Sequence, residues 1–283
     1  MTKTIRLKIP QWQGGNNPTY SLGSELLSWL APKNDQQKEI EVPIPVFEGP
    51  LEKENGVTAQ SIVAANVDRT AEVIAEETPD KIITLGGDCL VSQAPFDYLH
   101  GKYGSDLGII WIDAHPDIST PAIFHNEHAM VLGNLLGQGD PVLAEKVQHP
   151  FNAKSILYVG LQQPSPDEIV ILDELGINYQ VQTEKMISPA EVKTWLKENE
   201  FSKVVVHFDL DVLDPKEFRM LYFAEPGVEE YGAAGGKMTL AEVKEIMLAI
   251  AEQSEVVGLT VAELLPWDVQ NLQKLFSDFE IFF

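Results

Sequence analysis

The chain has 283 residues, 44% of them hydrophobic, which is typical of a globular protein with a sizeable core and excludes a disordered chain. Its formal net charge of −23, from 20 Lys and Arg against 43 Asp and Glu, argues against nucleic-acid binding, because phosphate contacts need a basic face. The same charge would attract a small cationic substrate.

The N-terminal part of the chain predicts a strand, a loop region and then a helix. Residues 4–23 indicate a first strand followed by a polar loop, in which Gly14 and Gly15 allow a sharp turn. Residues 33–57 are polar around the apolar patch EVPIPVF, which favours an edge strand and a surface loop. Apolar residues at helical spacing over residues 58–77 predict a helix, and the run KIITLGGD predicts a buried strand that ends in a glycine turn.

Strands and helices continue to alternate through the rest of the chain. Gly108 to Ile112 form an uncharged, β-branched run that predicts a short buried strand, and the runs SILYVGL, VVVHFDLD and VVGLTVAEL predict three more. Capping boxes at Ser188 with Glu191 and at Thr239 with Glu242 predict two helix starts. This alternation predicts an α/β fold of three layers, α/β/α, with a central parallel sheet.

No feature of the chain divides it or predicts a membrane segment. No linker or repeat stands out, so we expect a single domain over residues 1–283. No apolar run reaches the roughly 18 residues of a membrane span, and the N-terminus lacks a secretory-signal pattern, so we expect a cytoplasmic location. The single cysteine, Cys89, excludes an internal disulfide.

Acidic residues follow the predicted strands at the point where each strand ends. They are Asp88, Asp113, Asp209 and Glu263. In open α/β sheets, ligands bind outside the carboxyl ends of the strands, so acids that are distant in sequence can meet there in one cleft.

Two sets of polar residues at two-residue spacing extend this pattern. Asp113, His115 and Asp117 form one set, and Asp209 and Asp211 form the other. Residues two apart in extended chain point the same way, so each set would face one spot. Four carboxylates in one cleft balance two divalent cations, and oxygen ligands with an imidazole suit Mn²⁺ or another hard to borderline ion. Such a pair of ions is typical of hydrolysis at a carbon centre or of a phosphoester.

The order of these motifs resembles the ureohydrolase family, which includes arginase, agmatinase and formimidoylglutamase. The motifs are GGDC at 86–89, DAHPD at 113–117, FDLDVLDP at 208–215, GGKMT at 235–239 and GLTVAEL around Glu263. The resemblance implies an arginase-like fold with two Mn²⁺ ions. It also implies hydrolysis of a guanidino or formimino carbon–nitrogen bond with release of urea or a similar small amide, and assembly as a homo-oligomer, a trimer or hexamer.

The resemblance also implies roles for individual residues. The metal ligands that it implies are Cys89, Asp113, His115, Asp117, Asp209 and Asp211. Asp113 and Asp209 would bridge the ions, His115 and Asp211 would complete the shell of one ion, and Asp117 and Cys89 that of the other. The catalytic residues that it implies are His128, Asp211 and Glu263. His128 would shuttle protons or orient the substrate, and Glu263 would pair with the guanidinium.

Three positions depart from the family pattern. Cys89 stands where the family has a histidine; a thiolate is softer than imidazole, so this metal site would favour zinc or iron, bind weakly or lie empty. Alternatively, Cys89 is a small buried residue beside the site. Ser119 and Ser165 fall where arginases hold the carboxylate and the α-amino group of the substrate, and neither half of an amino-acid head group is clearly recognised. Arginine is therefore not assured as the substrate.

Other polar residues are interpreted as structural. His125 is expected at the surface, His100 and His149 in structural positions, and Asp214 before Pro215 in a turn. His207 is also interpreted as structural and is expected to point away from the metal-facing side of its strand.

Two functions compete with a ureohydrolase. One is a folded relative that has lost turnover and serves as a binding or regulatory protein, which Cys89 and the altered substrate loop favour. The other is a binuclear phosphoesterase, which is disfavoured because no cluster of Arg or Lys is found near Glu263 to hold a phosphate.

Overall fold

The computed structural model describes residues 2–47, 49–279 and 281. The strands are β1 (Thr4–Ile9), β2 (Lys38–Glu41), β3 (Lys53–Glu54), β4 (Val57–Thr58), β5 (Lys81–Gly86), β6 (Leu107–Ile112), β7 (Ile156–Val159), β8 (Lys203–Asp209) and β9 (Glu255–Ala262). The α-helices are α1 (Thr19–Leu30), α2 (Gln60–Glu77), α3 (Gln93–Tyr103), α4 (Val131–Leu135), α5 (Pro141–Ala144), α6 (Pro166–Leu175), α7 (Pro189–Glu198), α8 (Leu240–Gln253) and α9 (Trp267–Ser277). Strands and helices alternate over most of this length.

The main sheet has seven strands in the order β2-β1-β5-β9-β8-β6-β7, and every neighbouring pair in it is parallel. β3 and β4 form a separate antiparallel pair. Because all strands of the main sheet run the same way, their carboxyl ends lie at one edge. The central strands β5, β9, β8 and β6 are neighbours, so the residues that follow them are brought together at that edge.

Alternate residues of the central strands pack into two separate apolar cores. Ile109 and Trp111 of β6 belong to a cluster that includes residues of α2 and α3. Ile110 and Ile112 belong to a second cluster with residues of α7 and α8. Side chains alternate across a strand, so these clusters lie on opposite faces of the sheet. The predicted three-layer α/β/α fold is confirmed.

Helix starts follow the predicted capping chemistry. The Ser188 hydroxyl accepts from the Glu191 backbone N–H at 3.3 Å, and the Glu191 carboxylate accepts from the Ser188 N–H at 2.8 Å. The same reciprocal pair starts α8 at Thr239. Ser165 starts α6 in the same way, so this residue, which stands where arginases hold the α-amino group of the substrate, has a structural role.

Two predictions in the N-terminal region need correction. The polar loop after β1 ends earlier than predicted, because α1 begins at Thr19. The edge strand lies over Lys38–Glu41 and ends where the patch EVPIPVF begins, because Pro43 and Pro45 lack the N–H that a strand donates. Glu48, within the predicted surface loop, lies outside the described residues.

Among the helices in the described part of the chain, none is both long and apolar enough to span a bilayer.

Candidate metal centre

The candidate centre lies at the carboxyl edge of the four central strands. Asp113 directly follows β6, Asp209 ends β8, Glu263 directly follows β9, and Cys89 lies three residues beyond β5. All four side chains are buried. The sheet topology therefore brings together residues that are up to 174 positions apart, as in the 3.4 Å contact between Cys89 Sγ and Glu263 Oε1.

The segment after β6 turns instead of continuing as extended chain. Asp113 Oδ1 accepts from the His115 backbone N–H at 2.6 Å, and Asp117 adopts a left-handed backbone with φ of 49°. The His115 imidazole reaches Asp211, with Nδ1 3.0 Å from Oδ2, and lies 3.6 Å from Asp113 Oδ1. The side chains converge, as we predicted. The cause is this turn, however, and not the alternation of side chains along an extended strand on which the prediction was based.

A similar turn follows β8. Asp209 Oδ1 accepts from the Asp211 backbone N–H at 2.7 Å, which caps a short 3₁₀ helix over Leu210–Val212. Asp211 Oδ1 in turn accepts from the Ala114 N–H at 3.4 Å. The two turns thus hold each other, and the carboxylates are fixed by backbone donors before any ligand binds.

These side chains form four overlapping groups whose possible ligand atoms lie within 4.8 Å of one another. The groups are Cys89, Asp113, Asp117 and His207; Cys89, His128 and Glu263; Asp113, His115 and Asp211; and Asp209, Asp211 and Glu263. All eight residues that the sequence singled out as ligands or catalytic groups occur in them, together with His207.

The acids of these groups have no basic partner other than histidine in the ion pairs found among the described residues. Burial, with the charge of Asp211, raises the pKa of Asp113 to about 7. Burial and neighbouring carboxylates also raise the pKa values of Asp117 and Asp209 well above their usual range. Burial opposes ionisation of Asp211 too, but the nearby His115 outweighs it and lowers the pKa of that carboxyl. The pocket therefore favours an added positive charge.

Cys89 donates from Sγ to Asp209 Oδ2 at 2.7 Å. Burial, with the charge of Asp209, raises the pKa of the thiol well above its usual value. The thiol is therefore neutral when only protein surrounds it. A metal ion would displace this proton, because the ligand form of cysteine is the thiolate.

Glu263 is held by two side chains from other parts of the chain. Its Oε2 accepts from the Tyr20 hydroxyl at 2.6 Å, and its Oε1 lies 2.7 Å from His128 Nδ1. Burial alone would lower the pKa of His128, but the Glu263 carboxylate raises it above its usual value. Tyr20 was missed by sequence reasoning, because a tyrosine at the start of a helix gives no signal of a partner 243 residues away.

Asp88 has a structural role at this edge. Its carboxylate accepts from Gln11 Nε2 at 2.9 Å, from the Gly15 N–H at 3.2 Å and from the Leu90 N–H at 3.1 Å. A side chain at Gly14 would place its Cβ 2.8 Å from this carboxylate. Gly14 is thus explained by the close approach of the loop to Asp88.

His207 contradicts our prediction that it points away from the metal-facing side. Its side chain is fully buried, and Nε2 lies 3.7 Å from Asp113 Oδ2. His207 lies two residues before Asp209 in β8, and residues two apart in a strand share a face. That spacing was the signal that sequence reasoning misread. Burial lowers the pKa of His207 to about 3, so the ring is neutral.

The remaining predicted positions lie outside the centre. His125 is exposed, as predicted. His100 and His149 contact each other through His100 Nδ1 and the His149 carbonyl at 2.6 Å. Asp214 accepts from the Lys216 N–H at 2.8 Å in the predicted turn. Ser119, one of the two serines at substrate positions, donates its hydroxyl to Glu168 Oε1 at 3.0 Å.

Three buried atoms at the centre lack a hydrogen-bond partner among the described residues. They are His115 Nε2, Asp117 Oδ2 and His207 Nε2. A buried acceptor without a partner is costly, and carboxylates crowded without basic side chains are more so. Carboxylate oxygens, imidazoles and a thiol are the ligands that divalent metal ions take from proteins. The residues present therefore fit such ions.

Comparisons with known proteins identify a family and a shared fold. The model of the arginase family matches residues 33–273. Rat arginase-1 is 31% identical over 178 residues, 55% of this chain and 52% of the rat protein, so the match spans about half the length of that relative. Two solved structures share the fold. Entamoeba histolytica arginase has a TM-score of 0.79 at 19% identity over 98% of each chain. Bacillus caldovelox arginase has 0.76 at 20% identity over 94% of this chain and 92% of its own.

Proposed function

The chain belongs to the arginase family, and from that premise we propose that it hydrolyses a guanidino or formimino carbon–nitrogen bond with the help of two divalent metal ions. The products would be an amine and urea or a similar small amide. The observation that carries the proposal is the convergence of buried acids, which pair with no Lys or Arg among the described residues, with three histidines and a thiol at one edge of the sheet.

We assign the two ions to overlapping sets of ligands. As the family resemblance implies, Asp113 and Asp209 would serve both ions. Asp113 belongs to two of the groups, and Asp209 belongs to one and also accepts from the Cys89 thiol. His115 and Asp211 would complete one shell, and Cys89 and Asp117 the other. When bound, the ions supply positive charge that lowers the pKa of water at neutral pH and stabilises the charge that develops on attack. Mn²⁺ suits the oxygen-rich shell of His115 and Asp211.

Glu263 would bind the cationic end of the substrate. A guanidinium and a carboxylate make a charge-assisted match, and the contacts of Glu263 with Tyr20 and His128 fix its orientation. The formal charge of −23 would draw such a cation toward the protein.

His128 would move the proton that the departing amine needs. Its Nδ1 faces Glu263 Oε1, and the raised pKa of the ring keeps it able to hold a proton near neutral pH. Nε2 would pass that proton to the departing nitrogen as the carbon–nitrogen bond breaks, and general acid catalysis of this kind contributes about 10²- to 10⁴-fold.

The end of the substrate away from the guanidinium would lie near Ser119. Because Ser119 donates its hydroxyl to Glu168, that hydroxyl does not also donate to a substrate carboxylate in this arrangement. This contact favours a guanidino compound without an α-carboxylate, such as agmatine, over arginine. As the family resemblance implies, we also propose a trimeric or hexameric assembly in the cytoplasm.

The proposal is tested by metal analysis followed by product release. Purified protein would be loaded with Mn²⁺ or Zn²⁺, its metal content measured, and release of urea or formamide followed with arginine, agmatine, guanidinobutyrate and formiminoglutamate. We expect two ions per chain and turnover of at least one of these compounds. Two bound ions with no turnover of any of them would contradict the hydrolase.

One observation favours a second candidate, a binding protein without turnover. The Cys89 thiol donates to Asp209, so a neutral thiol occupies a carboxylate oxygen that a metal would use. Tight binding of a guanidino compound without product release would identify this alternative.

A further inference from the structure

A third imidazole, which is more deeply buried than those of His115 and His128, faces the candidate centre. His207 is completely buried, and its Nε2 lies 3.7 Å from Asp113 Oδ2. This nitrogen has no hydrogen-bond partner among the described residues. A buried ring nitrogen that is aimed at a carboxylate and lacks a partner is well placed to bind an ion between the two.

Two neighbours hold the ring in this orientation. Ser92 Oγ lies 2.7 Å from His207 Nδ1, and the Trp111 ring stacks on the imidazole with centroids 3.8 Å apart and planes at 10°. The Trp111 indole also donates to Asp113 Oδ2 at 3.0 Å. Metal-binding histidines commonly have their second nitrogen fixed by such a partner.

Ser92 also connects His207 to the cysteine. It ends the short 3₁₀ helix Cys89–Ser92 that carries the thiol, so one turn both supplies Cys89 and orients His207. The possible ligand atoms of Cys89, Asp113, Asp117 and His207 all lie within 4.8 Å of one another. Asp117 brings a second unpartnered atom, Oδ2, and a left-handed backbone with φ of 49°. Backbone strain of this kind often accompanies function.

We propose that His207 Nε2 is a metal ligand, and that His207, Cys89, Asp113 and Asp117 together hold a zinc-type ion. These four residues supply one sulfur, one nitrogen and two oxygens besides the shared Asp209 carboxylate, and the sulfur and nitrogen suit zinc better than manganese. The group of Asp113, His115 and Asp211 contains no sulfur and keeps the preference for a harder ion. The inference rests on the proposed metal centre, which it makes chemically asymmetric.

The test follows the ion bound to Cys89. Co²⁺ would be titrated into metal-free full-length protein, because thiolate-to-cobalt charge transfer in the near ultraviolet reports only the ion bound by sulfur. His207→Gln removes the imidazole, and Ser92→Ala removes only its partner. His125→Gln is the matched control, because this histidine is exposed.

We expect His207→Gln to weaken Co²⁺ binding at this band by more than about 100-fold, which exceeds the usual effect of losing an outer partner. Ser92→Ala should weaken it by about 10- to 100-fold. His125→Gln should leave it unchanged. If His207→Gln does not fold, as judged by circular dichroism, Ser92→Ala and X-ray absorption of the native zinc protein carry the test, with a sulfur and an imidazole expected on one ion.

Several results would overturn the inference. They are unchanged affinity in His207→Gln, absence of the thiolate band in the native protein, and a sulfur-bound ion without an imidazole. Product release measured on the same samples separates this result from the proposed hydrolysis. If the native protein shows the thiolate-to-cobalt band but releases no product, only the proposed hydrolysis is contradicted. If the native protein releases product and the band is unchanged in His207→Gln, only the role of His207 is contradicted.

Discussion

The two edges of the central sheet handle charge in opposite ways. At the amino edge, lysines pair with acids across neighbouring strand starts. Lys81 of β5 lies 2.7 Å from Glu255 of β9, and Lys203 of β8 lies 3.2 Å from Asp106 just before β6. At the carboxyl edge, the acids after the same strands are buried and contact only histidines among the ion pairs of the described residues.

This difference shows where a ligand is needed. The amino edge neutralises its own charges in partly exposed pairs, which contribute little to stability but leave no charge unpaired. The carboxyl edge holds several carboxylates whose burial and repulsion raise the pKa of Asp113 to about 7. Since the same strands form both edges, the contrast does not come from the fold but from the residues placed at each end.

The largest effect is expected from Asp209→Asn at the carboxyl edge. It removes a proposed bridging ligand, so we expect metal content to fall and turnover to drop by about 1,000-fold or more, the equivalent of several kcal/mol of charge stabilisation. The metal-free variant should be more stable than the metal-free native protein, because burial and neighbouring carboxylates disfavour ionised Asp209 in the folded state.

Metal analysis, product release and urea unfolding in chelator would measure these effects. Asp214→Asn, in the turn of the same segment, is the control and should retain metal. Full metal content in Asp209→Asn would contradict the contrast between the edges.

The next effect concerns Glu263→Gln at the carboxyl end of β9. Loss of the carboxylate removes the charge-assisted contact with the substrate cation, so we expect kcat/KM to fall by about 100-fold or more while metal content stays the same. Glu255→Gln at the amino end of β9 is the matched control, because Glu255 pairs with a surface lysine. Steady-state kinetics of both variants would test this, and equal losses in the two would contradict it.

Sequence reasoning predicted which strands end at the carboxyl edge and which acids follow them, but not the orientation of every side chain there. The strands, the acids that follow them and the helix caps at Ser188 and Thr239 came from local patterns, and the caps and the fold are as predicted. His207 was misplaced although the strand period puts it on the same side as Asp209. The two-residue repeat of the strand was known, but the prediction assigned His207 to the opposite face.

Contacts between distant segments could not be predicted from local patterns. The Tyr20 hydroxyl meets Glu263 because α1 packs beside β1 and β5, and Gly23 of α1 lies against Leu264, the residue after Glu263. The convergence of Asp113 and His115 on Asp211 depends on two turns that hold each other through the Ala114 N–H. Such tertiary contacts follow from the packed fold and have no signature in spacing alone.

A moderate effect is expected on the pH dependence of the metal-free protein. Asp113, which faces His115, Asp117, Asp211 and His207, has its pKa raised to about 7 in the folded state. The unfolded value is about 4, so its contribution to stability is present below pH 4 and lost as pH rises through about 7. The raised pKa values of His115 and His128 act in the same direction.

Asp113 should therefore make the metal-free protein lose stability between about pH 4 and 7, by up to about 1.4 kcal/mol per pH unit. His115 and His128 should add a loss above about pH 6.5, the usual pKa of histidine. Urea unfolding in chelator across this range would measure the slope. His207, whose pKa is lowered to about 3, acts in the opposite direction between about pH 3 and 6.5, because there only the unfolded state binds its proton. The native protein should lose stability relative to Asp113→Asn between about pH 4 and 7. A difference between the two proteins that stays constant over this range would contradict the assignment.

The smallest effect is expected at the amino edge, from Lys81→Ala. The lysine side chain is 29% exposed and its partner Glu255 is 49% exposed, so solvent screens the pair. We expect a loss of at most about 1 kcal/mol of unfolding free energy, with metal content and turnover unchanged. Urea unfolding at low and high salt would measure it, and the difference should shrink at high salt. Glu255 stays hydrated when Lys81 is removed, so water solvates its charge and no cation is needed. The acids of the carboxyl edge are buried and lack this solvation. A loss of metal in Lys81→Ala would show that the two edges are coupled and that the acids at the carboxyl edge depend on the opposite end of the sheet.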